Sequence, residues 1–217
     1  MRENVILMMS FFTLLSCASN GDPRENVDDN LEMPAYQIVK QAGTFELRDY
    51  APYIVASVTM EGNYDAASRD GFRILADYIF GANQSQTSIA MTAPVSSSPS
   101  YNEEIEMTAP VRTTAAGTDR WEISFSMPSK YTLETLPTPM NDQIRFTERP
   151  RELAAANVFA GFTTMSILQD QQDALAAWLE TEGMSADGPF VVARYNDPFT
   201  LPWNRRNELI VKVVDRP

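Results

Sequence analysis

Histidine is absent from this 217-residue sequence, and cysteine occurs once, at Cys17. Without an imidazole, the chain cannot assemble a Ser-His-Asp or Cys-His nucleophile system, or a metal site that depends on histidine ligands. With one cysteine, it cannot form an internal disulfide, a multi-cysteine zinc site or a thiolate-ligated iron–sulfur cluster. The two absences therefore exclude several of the most common catalytic and metal-binding arrangements.

Positive charge is also scarce. Lys and Arg number 17 against 29 Asp and Glu, which gives a formal net charge of −12 and a pI of about 4.4. Nucleic acid and anionic lipid surfaces repel such a chain, so nucleic acid is not an expected partner. The 44% hydrophobic content is sufficient for one folded domain with its own core. The composition does not specify an oligomeric state.

The chain begins with a pattern typical of export. A short charged start precedes an apolar run from Val5 to Leu15, whose eleven residues are too few to span a bilayer. The run leads into Leu-Leu-Ser-Cys, which resembles the lipobox of bacterial lipoproteins, where the cysteine becomes the lipidated first residue. We therefore expect a signal peptide over residues 1–16 and lipidation of Cys17. A plain signal peptide that is cleaved nearby is the alternative.

The segment that follows the cysteine has the composition of a linker. Residues 17–34 are acidic and contain several Asn together with Gly and Pro, which predicts a flexible tether with a reach of about 20–25 Å. The residue after Cys17 is Ala18 and not Asp, which by resemblance to bacterial sorting rules favours the outer membrane. The expected location is thus the periplasmic face of the outer membrane, with a lipid anchor as the membrane contact.

The remaining chain, residues 35–217, has breakpoints that recur at nearly constant spacing. Pro52 and Pro150, 98 residues apart, each interrupt a strand pattern. The strand after the first proline ends at Gly62, and the strand after the second carries Gly161, 99 residues later. Such spacing indicates an internal duplication, with chance agreement of turn residues as the alternative.

Each half also has one amphipathic helix. Apolar residues at helical spacing predict the first helix from about Tyr64 to Phe80 and the second from about Ile167 to Glu182. With the strands on either side, each half becomes a strand–strand–helix–strand–strand unit. The sequence therefore predicts paired sheets packed around or against two helices.

The pentapeptide Met-Thr-Ala-Pro-Val occurs twice, beginning at Met91 and at Met107. The Ser- and Pro-rich stretch between the copies favours a turn, so strands over 89–95 and 105–111 are predicted to form a hairpin. On neighbouring strands the two methionines would lie on related faces. They would then present two thioethers, or serve as ordinary core residues.

A run near the end of the chain carries a family resemblance. Residues 195–209 read Tyr-Asn-Asp-Pro-Phe-Thr-Leu-Pro-Trp-Asn-Arg-Arg-Asn-Glu-Leu. This is similar to the Tyr-Asn-x-Pro-aromatic, Pro and Arg-Arg-Asn-Glu run of the SOUL haem-binding protein family. The two pentapeptides, residues 125–128, and the segment from Arg149-Pro150 to residue 162 also resemble family positions. The resemblance covers about residues 35–217.

The resemblance implies an α+β fold in which a duplicated β-β-α-β-β unit forms a distorted antiparallel β-barrel with two helices, a topology shared with effector-binding domains of bacterial regulators. It also implies non-enzymatic binding of haem or a related tetrapyrrole in an apolar groove beside the first helix. Arg69 and Arg73, one helical turn apart, would meet the propionates, since guanidinium groups suit carboxylates. The alternative is that both form ordinary surface ion pairs with nearby aspartates. The expected ligand contacts are Arg69, Phe72, Arg73, Leu75, Ala76, Met60, Met91 and Met107.

The lack of histidine separates this chain from family members thought to use an imidazole as an axial iron ligand. A protein ligand would have to be methionine, which favours reduced iron, or tyrosinate, which favours ferric haem. The candidates are Met60, Met91, Met107, Tyr64 and Tyr78. We therefore expect weak, reversible haem binding without a histidine ligand, or none.

Other functions stay open at this point. A structural or protein-interaction module of the same fold, with haem binding lost along with histidine, is the main alternative. An enzyme is a third, but no Gly-rich phosphate loop or metal-ligand spacing is present. Arg205 and Arg206 are interpreted as structural residues that cap carbonyls and pair with Glu208, with an anion site as the alternative.

Overall fold

The computed structural model describes residues 22–25, 31–84, 103–197 and 199–215. These residues contain helices α1 (Tyr64–Ile79) and α2 (Met165–Thr181), and short 3₁₀ helices at Pro23–Glu25 and Pro202–Asn204. The strands are β1 (Tyr36–Ala42), β2 (Phe45–Tyr50), β3 (Tyr53–Glu61), β4 (Asn83–Gln84), β5 (Val111–Gly117), β6 (Arg120–Ser126), β7 (Thr138–Pro139), β8 (Arg145–Arg149), β9 (Glu152–Phe159), β10 (Met184–Ala186), β11 (Val191–Arg194) and β12 (Asn207–Asp215). The signal peptide, Cys17 and the strand predicted at 89–95 with Met91 lie outside the described residues.

The sheet shows the duplication directly. Ten strands form an antiparallel sheet in the order β1-β2-β9-β12-β11-β5-β6-β3-β8, with β10 paired to β12. From the centre outward, one half runs β11-β12-β9-β2 and the other runs β5-β6-β3-β8. The first strand of each unit pairs with the second strand of the other unit, since β2 pairs with β9 and β8 pairs with β3. The α+β fold and the duplicated unit are confirmed. The sheet curls, but β1 and β8 remain its two ends among the described residues. It is therefore a half-barrel and not the closed barrel that was expected.

Helix α1 begins where Asn63 caps it, with the side chain accepting a hydrogen bond from Ala66 N at 2.9 Å. One face of the helix is buried against β3 and β6. On that face, a Cβ at Gly71 would lie 2.8 Å from Cγ1 of Ile123 on β6, so glycine permits the close approach of helix and sheet. The helix predicted from the periodicity is confirmed, and it ends one residue earlier than expected.

Helix α2 covers the other half of the same sheet face. Thr164 caps it, and Leu175 and Trp178 pack against Leu47 of β2 and Val211 of β12. This confirms the second predicted helix, which begins two residues earlier than the periodicity indicated. Among the described residues, no helix is long and apolar enough to cross a membrane.

The opposite face of the sheet holds buried charge. Side chains alternate along a strand, so Glu46 and Arg48, the neighbours of Leu47, point away from the helices. Their exposed fractions are 1% and 0%, and that of Glu208 on β12 is 0%. Arg48 donates from Nη1 to Glu208 Oε2 at 2.7 Å and from Nη2 to Oε1 at 2.8 Å. This bidentate pair joins β2 to β12, although β9 lies between them.

Two further groups bind the same carboxylate. Arg206 donates from Nη2 to Glu208 Oε1 at 2.6 Å, and the Tyr195 hydroxyl donates to Oε2 at 2.7 Å. Burial alone would raise the pKa of Glu208. The hydrogen bonds and positive charge of Arg48, together with the charge of Arg206, have the larger effect and lower this pKa to about 2. The interpretation of Arg206 as a structural partner of Glu208 is confirmed.

The prediction of a strand over 105–111 is wrong for all but the last of these residues, because β5 begins only at Val111. The preceding residues bond elsewhere: Asn83 Nδ2 donates to Glu103 O at 2.7 Å, and Ile105 N donates to Ile79 O at 2.8 Å. These contacts satisfy backbone groups that a strand ladder would otherwise need. The β5 strand instead pairs with β6 and β11.

Part of the segment assigned to the tether contacts the domain. Arg24 donates from Nε to the buried carboxylate of Glu46 and from Nη2 to Gly43 O at 2.7 Å. The carbonyl of Arg24 accepts a hydrogen bond from Arg206 Nη1 at 3.1 Å. Residues 22–25 therefore lie against the end of the sheet where the β1–β2 turn and the start of β12 meet.

Candidate functional site

A cleft of about 400 Å³ lies beside the C-terminal half of α1. This volume falls in the range of roughly 300–1,000 Å³ that is typical of small-molecule sites. Its wall combines the helix with a segment about sixty residues later, and it is formed by Ile74, Asp77, Tyr78, Ala82, Met140, Asn141, Asp142 and Ile144. Met140 is 57% exposed, so the cleft offers apolar surface to a ligand.

Arg69 and Arg73 extend from the exposed face of α1. Their side chains are 67% and 65% exposed, and their nitrogens lie 3.5 and 3.7 Å from Oδ1 of Asp70. These are weak surface contacts that leave both guanidinium groups able to bind a carboxylate. Neither residue lines the cleft, but Arg73 lies one turn before Asp77, which does. Their role towards a ligand stays a prediction.

The three apolar contacts predicted on α1 occupy different environments. Leu75 is fully buried in the core between helix and sheet, and Ala76 is 9% exposed. Phe72 is 38% exposed, and its ring lies edge-on to that of Phe125 with the centroids 5.5 Å apart. By helical periodicity, Phe72 and Ala76 border the opposite side of the exposed face from Ile74, which lines the cleft.

The predicted methionine contacts are not brought together by the described residues. Met60 on β3 is partly buried and packs against the core cluster beneath α1. Met107 is 44% exposed in the irregular segment before β5. Met91 and Cys17 lie outside the described residues, so their placement is not tested.

The two tyrosines considered as iron ligands are poorly suited to ionise. Burial raises the pKa of Tyr78, whose hydroxyl donates to Pro137 O at 2.9 Å. Burial likewise raises the pKa of Tyr64. Tyrosinate ligation at neutral pH is thus disfavoured at both positions. In the described part of the chain, no cluster of three or more His, Cys, Asp or Glu residues could hold a metal ion.

A second cleft, of about 420 Å³, lies between residues 32–35, the start of β3 and residues 126–134. Three carboxylates line it, those of Glu32, Glu134 and Glu148, and its described lining includes no Lys or Arg. The lining of the cleft beside α1 also includes carboxylates, those of Asp77 and Asp142, and no Lys or Arg.

Sequence reasoning did not find the far wall of the α1 cleft. Met140 and Ile144 follow a loop, and helical periodicity describes only the near wall. The turn at Pro52 and the strand end at residues 125–128 were the available signals for the second cleft, since both border it.

Comparisons with known proteins identify the family. The model of the SOUL heme-binding protein family matches residues 31–212. Heme-binding protein 2 of Homo sapiens is 31% identical over 173 residues, which cover 78% of this chain and 78% of that protein. Heme-binding protein 1 of Xenopus tropicalis is 25% identical over 173 residues, covering 78% of this chain and 84% of that protein.

Solved structures share the fold at low sequence identity. The C-terminal domain of EcmrR has a TM-score of 0.55 at 13% identity, covering 83% of this chain and 98% of that chain. A hydrolase from Listeria innocua has a TM-score of 0.52 at 14% identity, covering 81% of this chain and 94% of that chain. Identities this low show the fold alone. The family model, in contrast, matches the sequence itself over residues 31–212, which is most of the chain. The chain therefore belongs to the SOUL haem-binding protein family.

Proposed function

We propose that this protein binds haem or a related tetrapyrrole in the groove beside α1, without a histidine ligand and without catalysing a reaction. Membership of the SOUL family and the names of the two relatives support the ligand class. The observation that carries the location is the cleft walled by Ile74 and Tyr78, next to a helix face that bears Arg69 and Arg73.

The cleft and the helix match the two parts of a haem. A porphyrin has flat apolar faces, for which Ile74, Met140 and Ile144 provide apolar contacts. It also carries two propionates, and Arg69 and Arg73 provide planar donors for them in a chain whose net charge is −12. The cleft itself is lined by Asp77 and Asp142, so the propionates would have to lie towards Arg69 and Arg73 on the exposed face of the helix.

The chain provides weak support for the iron. It has no histidine, and burial raises the pKa of both candidate tyrosines. Met60 and Met107 remain candidates for thioether ligation. A bound haem would supply an iron centre with a strong visible absorption band. The residues of the chain would hold the macrocycle and its propionates, so binding is expected to be reversible.

A hemin titration followed at the Soret band tests this proposal. Wild-type protein should give a saturable shift, and Arg69→Glu/Arg73→Glu should lower the affinity by about tenfold or more for each arginine, since hydrogen bonds to charged groups contribute about 1.5–3 kcal/mol. The band position would also report the absence of imidazole ligation.

The matched control is Arg120→Glu/Lys130→Glu, which changes the net charge equally at two other exposed positions. If both double variants weakened hemin binding equally, the loss of affinity would be due to the net charge of the protein, and the arginine site would be rejected. A flat or non-saturable wild-type response would reject haem binding and favour a protein-interaction module of the same fold.

We also propose that a lipid on Cys17 anchors the protein to a bacterial membrane, with the domain in the periplasm. The Leu-Leu-Ser-Cys tetrapeptide and the apolar run before it support this location. Cell fractionation is the measurement: Cys17→Ala should move the protein from the membrane to the soluble periplasmic fraction. Ser19→Ala, two residues later, should leave it in the membrane. Continued membrane association of Cys17→Ala would contradict the lipid anchor.

A further inference from the structure

Large apolar side chains are exposed at one end of the sheet. Each of them is more than half exposed, and Phe199 is 94% exposed. We call this group the apolar end, and it consists of Phe162, Met165, Phe199, Leu201 and Trp203. Contiguous apolar surface on a soluble domain usually marks an interaction site.

Hydrogen bonds hold the two loops of the apolar end together. Gly161 N donates to Pro202 O at 2.8 Å, which joins the loop after β9 to the loop before β12. Asp197 Oδ1 accepts from Phe199 N at 2.7 Å, and Arg205 Nε donates to Thr200 O at 2.7 Å. The exposed side chains are therefore presented by defined turns.

The composition of these loops indicates what they contact. Residues 160–166 and 199–204 contain no charged residue, and Asp197 and Arg205 flank the second stretch. Trp and Phe at loop tips are typical of the interfacial region of a bilayer, where an apolar ring meets water. Because the chain carries a net charge of −12, the matching lipid is zwitterionic and not anionic.

The N-terminal segment reaches the domain at this same end. Arg24 is bound to Glu46 and Gly43, and its carbonyl accepts from Arg206, which follows Trp203 by three residues. Only five residue steps separate Cys17 from Asp22, a contour of at most about 18 Å. A lipid on Cys17 would thus hold this end of the domain close to the bilayer.

The geometry points to the apolar end as a membrane-docking surface that inserts Phe199, Leu201 and Trp203 into the interface of a zwitterionic bilayer. This proposal rests on the lipid anchor proposed above. It adds an orientation, in which the end of the sheet with the start of β12 faces the membrane.

Tryptophan quenching tests the docking on the full chain, purified with its lipid and reconstituted in vesicles of phosphatidylethanolamine and brominated phosphatidylcholine. Bromine atoms should quench the emission of wild-type protein, and Trp203→Phe should abolish that quenching. Phe199→Ser/Leu201→Ser should lower the ratio of docked to undocked protein by about tenfold per side chain, as expected for losing the burial of one large apolar group. The control Ile38→Ser/Val39→Ser removes exposed apolar residues from β1 and should leave quenching unchanged.

The outcomes separate the surface from the anchor. Vesicle-bound protein whose emission does not depend on bromine would overturn the docking surface while leaving the anchor intact. Failure of wild-type protein to sediment with vesicles would also overturn it, and the Cys17→Ala fractionation reports on the anchor independently. A change in Trp203 emission that follows protein concentration without lipid would indicate self-association and reject the membrane as the partner.

Discussion

Replacing Glu208 by glutamine is expected to lower the free energy of unfolding by about 3–5 kcal/mol, the range for breaking a buried ion pair from one side. The substitution keeps the shape of the side chain but removes the charge that Arg48 and Arg206 both contact. Arg48 retains Glu46, whereas Arg206 loses the carboxylate at 2.6 Å. Urea unfolding followed by tryptophan fluorescence measures the change.

Acid should reveal the same contribution in the wild-type protein. The pKa of Glu208 in the folded state is about 2, below the ordinary value of 4.5, so the unfolded chain takes up the proton first. The stabilising contribution is complete above about pH 4.5 and is lost as the pH falls towards 2. At 1.36 kcal/mol per pH unit, the loss is about 3 kcal/mol. Glu208→Gln should lack this part of the acid dependence.

A surface pair provides the control for Glu208. Asp187→Asn removes the partner of Lys212, where both side chains are about half exposed, and should leave the stability close to that of the wild type. If Glu208→Gln were equally mild and kept the acid dependence of the wild type, the buried network would not stabilise the fold. The structural role assigned to Arg206 would then be rejected.

The duplicated fold was predictable because its signals are local. Pro52 and Pro150 stop strands through the missing amide proton, and Gly62 and Gly161 both adopt positive φ after the second strand of their unit. Each feature depends on a few neighbouring residues, so it can be recognised without knowing the tertiary structure. The exchange of β2 and β8 between the two halves depends on long-range pairing, and no local pattern encodes it.

The elements that the sequence pattern did not predict correctly, β1 and the segment before β5, depend on contacts between distant residues. Strand β1 is mostly exposed, so it has no alternating apolar face to mark it. The segment before β5 has apolar residues such as Ile105 at strand-like spacing, but its backbone groups bond to Asn83 and to the end of α1. Tertiary contacts decided both cases, and sequence pattern does not report tertiary contacts.

Some parts of the candidate site follow from local sequence pattern, and others depend on the tertiary structure. The position of Arg69 and Arg73 on the exposed face of α1 followed from helical periodicity. The cleft itself needed Met140 and Ile144, which reach the helix only through folding. The buried charge of Glu46 and Arg48 was also missed, since alternating charged and apolar residues usually indicate a strand with one solvated face.

Leu75→Ala separates core packing from ligand contact on α1. The expected result is a loss of about 2–5 kcal/mol in the free energy of unfolding, because Leu75 is fully enclosed and its removal leaves a cavity against Ile123 and Phe125. Chemical denaturation measures this loss, and a hemin titration of the folded variant should show a smaller change in affinity than Arg69→Glu/Arg73→Glu.

Phe72→Ala is the matched comparison, since Phe72 lies on the same helix and is 38% exposed. Its truncation exposes less new cavity surface, so the stability should fall by less than in Leu75→Ala. Because Phe72 borders the side of the exposed face opposite Ile74, its truncation should lower hemin affinity less than Arg69→Glu/Arg73→Glu does. Unchanged stability with weakened hemin binding in Leu75→Ala would mean that the core between α1 and β6 opens to admit the ligand. In that case the groove would lie beneath the helix, and not beside it at Ile74 and Tyr78.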